Sequence, residues 1–338
     1  MTTTPPGRSP TFDRSAVASR VGTVGRAARG NLAATGLRTV SWLACRLPDR
    51  ALAGLADVVG EAWYRFAPRR AEQARENLRR VCGWLAAEDL GPSRARLAAA
   101  DPAALERLVR LAFRQAARYY LEVAQVPVWT PAFIAERMRI ETPEVVERAF
   151  GGGPMIFIAP HFGSVELPGL YLASRSGGRT PVAPMETLGD PAVQRYFVRT
   201  RGAMGIRIVG VGEARRELLA ALRAGDPVGL VADRDLTGGG IPTQFFGAPT
   251  RLPAGPALLA IQSGAPLYAT AVRRTGPGRW IGRLEQIAVP PDGDLRTRVE
   301  AVLAAEARAF ERAIAAAPEQ WWAVFFPIWT DPERPVGG

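Results

Sequence analysis

His161 is the only histidine among the 338 residues, and it stands in the run APHFGSVE, with Glu166 five positions further on. An imidazole titrates near neutrality, so it can take a proton from a hydroxyl and later return it. The spacing to Glu166 is informative. On one continuous helix five residues turn through about 500°, which leaves the two side chains roughly 140° apart and unable to meet. They converge only if His161 precedes the helix, and the intervening Gly163 and Ser164 supply a flexible residue and an N-cap candidate. That arrangement makes a base and its orienter, with Glu166 fixing the tautomer and stabilising the imidazolium. There is no Gly-x-Ser-x-Gly turn and no cysteine near His161, so the attacking hydroxyl belongs to a substrate. A single histidine falls short of the usual zinc ligand sets, so no metal is expected.

The elements around His161 have to place it. The stretch GGGPMIFIAP is a glycine-rich turn running into a short apolar segment, which reads as a buried strand ending just before the histidine. Similar runs at Arg207 to Val211, Pro227 to Ala232 and Ala265 to Val272 alternate with helix-like segments at Glu213 to Ala224 and Pro253 to Gln262. The fold predicted is α/β, a central, mostly parallel sheet flanked by helices, with His161 at a strand's carboxyl end, where such sheets hold ligands. GRWIGRLEQIAV reads as an edge strand, Leu295 to Ala316 as a long amphipathic helix, and Gly238 to Gly240 as a turn before the FFG strand. Trp321, Trp322, Phe325, Phe326 and Trp329 form an aromatic patch expected to close a core.

Ahead of the sheet the chain is helical. From Leu32 to Ala67 apolar residues recur three or four apart, punctuated at Pro48, which predicts an N-terminal helical hairpin with much apolar surface for burial or for a lipid interface. Further helices are expected over residues 69–82 and 102–125, the second with Leu105, Val109, Ala112, Phe113 and Ala116 on one stripe. Residues 1–30 mix Pro, Ser, Thr, Gly and spaced Arg without period, as a mobile basic tail would; 31–330 form the catalytic domain and 331–338 a flexible end.

The net charge is +11, and every basic residue is arginine. Residues 1–50 carry eight arginines against Asp13 and Asp49, more than half of the excess. A basic head suits an anionic membrane surface, an anionic cosubstrate or nucleic acid. The last is disfavoured, because the arginines do not alternate with stacking aromatics in a recognisable module. Cys45 and Cys82 fit neither a metal motif nor a disulfide framework, and no apolar run reaches the length of a membrane span. A peripheral protein at the cytoplasmic side of a membrane is the expectation.

The H-x-x-x-x-E element, the block VADRDLTGGGIPTQFFGAPTRLPAGPALLAIQSGAPL, the early helix ending ENLRRV and the PEQW segment together resemble the bacterial lipid A secondary acyltransferase family. The resemblance covers about residues 31 to 330, and the DRDL core fits best its branch that acylates phosphatidylinositol mannosides. It implies transfer of a long fatty acyl group from acyl-CoA, a cosubstrate and not a resident cofactor, to a mannose hydroxyl. His161 would be the general base, Glu166 its orienting acid, Glu186 and Arg201 the lining of the groove, and Asp233 an acidic neighbour of the pair. Attack on a thioester creates an oxyanion and coenzyme A brings phosphates, so Arg201, Arg234 and Arg251 are candidate substrate-binding residues. Two rival readings are another glycolipid acceptor, such as a lipid A precursor, and a non-catalytic lipid- or nucleic-acid-binding protein. The latter would have no need of a base beside a carboxylate.

Overall fold

The computed structural model describes residues 35–235 and 238–329; the predicted tail and the last eight residues lie outside them. The hairpin is present as helix α1 over residues 35–44 and α2 (Asp49–Phe66), broken at Pro48, which lacks a backbone donor and stands just ahead of the first turn of α2. α3 (Pro68–Ala87), α4 (Ser93–Ala100) and α5 (Pro102–Gln125) follow, the last capped by the Asp101 carboxylate on the backbone N–H groups of Ala103 and Ala104. α2 buries Leu52, Ala53, Ala56 and Gly60, the spacing of one helical stripe, and packs on α5. At Gly60 a Cβ would stand 2.5 Å from the Arg114 Cα, so only glycine allows the two backbones to approach this closely.

Of the two fates foreseen for the apolar surface of the hairpin, burial holds for the face packed on α5, and another face is left exposed. Away from α5, Trp42 is 55%, Val58 69% and Phe66 86% exposed, with Leu43, Leu47, Leu55 and Val59 beside them.

After α6 (Pro131–Arg137) the chain builds the sheet: β1 (Met138–Ile140), α7 (Pro143–Ala149), β2 (Ile156–Ala159), α8 (Glu166–Arg175), β3 (Val182–Met185), α9 (Pro191–Ala203), β4 (Arg207–Gly210), α10 (Ala214–Arg223) and β5 (Val228–Val231). A hairpin of β6 (Ile241–Phe245) and β7 (Ala248–Leu252) stands apart, and α11 (Gly255–Ser263), β8 (Leu267–Gly276), β9 (Arg279–Ile287) and α12 (Leu295–Ala315) complete the fold. The strand order is β1-β9-β8-β2-β5-β3-β4, and every pairing is parallel except β8 with β9. The segment expected to be an edge strand, β9, is instead second from the edge, because the three-residue β1 covers it. So short a strand leaves no period to read in the sequence.

β2 is buried on both faces, which is why it reads as an unbroken apolar run. Ile156 and Ile158 enter the main core with Leu259, Val302 and Phe310 from α11 and α12, while Phe157 joins Val146, Leu172 and Tyr268 on the other side. The chain leaves β2 through α8 toward β3 on one side and leaves β5 through the hairpin and α11 toward β8 on the other. Adjacent strands whose connections part in this way are where such sheets place ligands, at the strands' carboxyl ends, and His161 stands at that position.

Candidate active site

Parallel register brings the key pair together. β2 and β5 pair Ala159 with Val231, and the ladder continues as the Ala232 N–H donates to the Ala159 carbonyl at 3.0 Å. Two residues further on each strand, His161 faces Asp233. The carboxylate grips the histidine twice: Oδ2 accepts the His161 backbone N–H at 2.9 Å, and Oδ1 lies 2.5 Å from the ring Nδ1. The Trp321 indole N–H donates to Oδ2 at 2.7 Å. An ionised carboxylate only accepts, so the proton sits on Nδ1 and the Nε2 lone pair is left for a substrate.

Asp233 is fully buried. Burial pushes its carboxyl up, but the charge of His161 and the bonds from the imidazole, Trp321 and the His161 backbone outweigh it, so the group is held below its ordinary value. The imidazole keeps 16% of its surface open and stands edge-on to Trp322, ring centres 4.3 Å apart. Trp322 in turn stacks on Tyr119 of α5 at 5.2 Å.

The carboxylate in contact with the imidazole is Asp233, the acid expected beside the pair, and not Glu166, a correction to the contact expected from spacing. Glu166 does open the helix after the loop, as the 500° argument requires, but its carboxylate takes Arg201 of α9, accepting Nη2 at 2.7 Å and Nε at 3.3 Å. Arg201 also sets Nη1 2.7 Å from the Met185 sulfur. Burial opposes its charge, yet Glu166 more than compensates and its pKa is raised. Ser164 is not the N-cap either. Val165 holds that position, while Ser164 is buried with its N–H on the Val272 carbonyl at 3.0 Å.

Gly163 has a function other than flexibility. Its φ of +58° is left-handed, and a Cβ there would fall 1.9 Å from the Val272 carbonyl oxygen, so the loop lies against β8 in a way no other residue permits. Arg274, 5% exposed, locks this arrangement: Nη2 donates to the Gly163 carbonyl at 2.8 Å and Nε to Glu122 at 2.7 Å. Gln320 closes the brace, accepting the Arg274 backbone N–H at 2.8 Å and giving its own carbonyl to the Gly163 N–H at 2.9 Å.

The remaining candidates are scattered around this centre. Arg234 adjoins Asp233 and lays its guanidinium 3.7 Å from the Phe326 ring centre; burial lowers its pKa, with Asp233 and Glu186 acting in the opposite sense. Glu186 is exposed just beyond β3. Asp235 accepts the N–H groups of Gly238 and Gly240, which confirms the glycine run as a turn. Arg251 is exposed on β7, and among the described residues no hydrogen bond or ion pair links it to the His161 centre. Sequence reasoning missed Trp321, Tyr119 and the Arg274–Glu122–Gln320 brace. Gln320 and Trp321 carried a signal, as neighbours in the PEQW segment already singled out, although their partners lie 46 and 88 positions away.

A buried acid paired with a partly exposed imidazole at the carboxyl edge of a mostly parallel sheet places the chain in the class of α/β proteins with a candidate acid–base centre at a topological switch point. The family follows from comparison with known proteins: the model for bacterial lipid A biosynthesis acyltransferases matches residues 36–329, and the chain belongs to that family, as an O-acyltransferase. The reading as a non-catalytic binding protein is thereby set aside. Among its relatives, the phosphatidylinositol mannoside acyltransferase of Mycolicibacterium smegmatis is 32% identical over 275 residues, 79% of this chain and 83% of that protein. The protein of the same name from Mycobacterium tuberculosis is 31% identical over 289 residues, covering 83% and 84% of the two chains.

Proposed function

We propose that this protein transfers a long-chain fatty acyl group from acyl-CoA to a mannose hydroxyl of a phosphatidylinositol mannoside at the cytoplasmic membrane face, with His161 as general base. The observation that carries the reading is the Asp233–His161 pair, which leaves one nitrogen of a partly exposed imidazole unprotonated. In the reaction Nε2 takes the proton of the mannose hydroxyl as the oxygen attacks the thioester carbonyl carbon. The tetrahedral intermediate collapses, the C–S bond breaks, and the thiolate recovers the proton from the imidazolium. Asp233 keeps the imidazole in the productive tautomer and balances its transient charge. Glu166 and Arg201, locked to each other at the first turn of α8, form a polar wall for the acceptor sugar. Glu186 and Arg234 extend that wall toward Phe326.

One further feature favours a lipid substrate. Among the described residues no helix is long and apolar enough to cross a membrane. The exposed apolar face of α1 and α2, interspersed with Arg46, Arg50 and Arg65, suits docking on an anionic lipid surface. The acceptor is assigned on likeness to the mycobacterial enzymes together with this chemistry.

The decisive assay incubates the purified protein with radiolabelled acyl-CoA and phosphatidylinositol mannosides, beside lipid A precursors. Label should move to the mannoside, and His161→Ala should abolish transfer while leaving the fold intact by circular dichroism. Preference for the lipid A precursor would reject the acceptor, and full activity of the alanine variant would reject the base.

A further inference from the structure

The His161 centre has an unneutralised pair of cations at its border. Arg70, in the first turn of α3, and Arg234, at the exit of β5, come from distant parts of the chain and converge on one ring, with their guanidinium carbons 4.7 Å and 3.7 Å from the centre of Phe326. Arg70 also donates to the Phe325 carbonyl at 2.6 Å. Among the described residues neither guanidinium has a carboxylate within ion-pair distance, whereas Arg75, Arg94, Arg110, Arg201 and Arg274 each have one. Of the two acids flanking Arg234 in sequence, Asp233 is taken up by His161 and Trp321 and Asp235 accepts the N–H groups of Gly238 and Gly240, while Asp233 and Glu186 act on Arg234 only from beyond ion-pair distance.

Such an arrangement opposes folding by itself. Two like charges gathered around one ring repel, and the half-buried Arg234 loses hydration as well. Contact with the ring returns part of that cost. The first turn of α3 adds to the positive potential, since it has neither an acidic residue nor a side-chain cap. What the group lacks is an anion with several acceptor oxygens, and the planar forks of arginine match a phosphate well. The place is right for a substrate group: Phe326 lies 6.4 Å from Trp322, which lies 4.3 Å from His161, ring centre to ring centre.

We infer that Arg70 and Arg234, stacked on Phe326, form a phosphate subsite that anchors a substrate's phosphate or phosphodiester while its reacting end lies at His161. This deepens the acyl-transfer reading and rests on it for the reacting end. The phosphate belongs either to the lipid acceptor, as its phosphodiester, or to the donor, as the pyrophosphate of coenzyme A.

The test has a binding arm and a kinetic arm, each run on the wild type, Arg70→Ala/Arg234→Ala and Arg70→Lys/Arg234→Lys. Calorimetric titration with coenzyme A and with glycerophosphoinositol should show one probe bound by the wild type and held on the order of tenfold or more weakly by the alanine double variant. In the kinetic arm, the preference for acyl-CoA over acyl-pantetheine, or for phosphatidylinositol mannoside over an alkyl mannoside, should fall by a similar factor. Which preference falls identifies the source of the phosphate, and the lysine pair should restore part of it. Unchanged preferences on both sides, equal affinity of wild type and alanine variant for both probes, or binding of neither probe by the wild type would overturn the subsite. A wild type that acylates no mannoside would instead reject the acyl-transfer reading, and the titrations would still decide this one.

Discussion

Asp233 holds three donors at once, two from His161 and one from Trp321, in a place buried from the surface. Replacing it by Asn keeps the shape but puts an amide in place of an acceptor. The amide can donate to Nδ1, which drives the imidazole proton to Nε2 and removes the base. For Asp233→Asn we expect kcat to fall by about 10³–10⁴ with KM little changed; a loss below tenfold in a steady-state transfer assay would mean that the acid does not set the tautomer. The same group predicts a pH effect on stability. Its folded-state pKa lies below the unfolded value of 3.8, so its contribution is complete above that pH and is lost as the pH falls through the folded value. Acid unfolding followed by circular dichroism should therefore show wild type and Asp233→Asn differing at neutrality and converging below about pH 4.

At the scale of elements, the catalytic loop is shaped by what it leans on. The turn from β2 to α8 is held by the Val272 carbonyl, by Arg274 and by Gln320, and its approach to β8 is possible only because residue 163 has no Cβ. Gly163→Ala carries the left-handed penalty of about 1–2 kcal/mol and a clash that must push the loop from β8. Since His161 sits two residues away, we expect a lowered melting temperature together with a kcat loss of about 10²-fold. A variant melting with the wild type and turning over normally would show that the loop tolerates a side chain there. Gly60 poses the same demand between α2 and α5, where the close backbone crossing seats the hairpin against the domain.

At the scale of the whole molecule, His161 and Asp233 stand at the carboxyl ends of the sheet strands, and α1 and α2 present an apolar face that their own packing leaves uncovered. An apolar face rimmed by arginines binds a lipid surface by area and by charge together. Val58→Asp/Phe66→Asp should weaken sedimentation with phosphatidylglycerol vesicles by on the order of tenfold or more, since each side chain buries apolar area in the interface. Neither residue contributes to the α2 face packed on α5, so the melting temperature should hold. Undiminished partitioning of the double variant would assign the docking surface to another part of the chain.

Local pattern carried much of the architecture. The apolar runs ending at Ala159 and Val231, the break at Pro48, the aromatic core-closing segment and the need for His161 to precede its helix could all be read along the chain, because each depends on neighbours within a turn or a strand. β1 and β3 escaped, one too short for a period and the other hidden in a segment whose exposed residues mask it. His161 stood out by residue type, but its partner did not: the acid five positions away was the natural choice, and the acid 72 positions away is the one in contact. Strand register between β2 and β5 made that choice, and register is a property of the assembled sheet. The pairing of Glu166 with Arg201, the brace on Gly163 and the cations around Phe326 arise for the same reason. Hydrogen bonds and charges act over a few ångströms of space, and only the folded chain determines which residues lie that close.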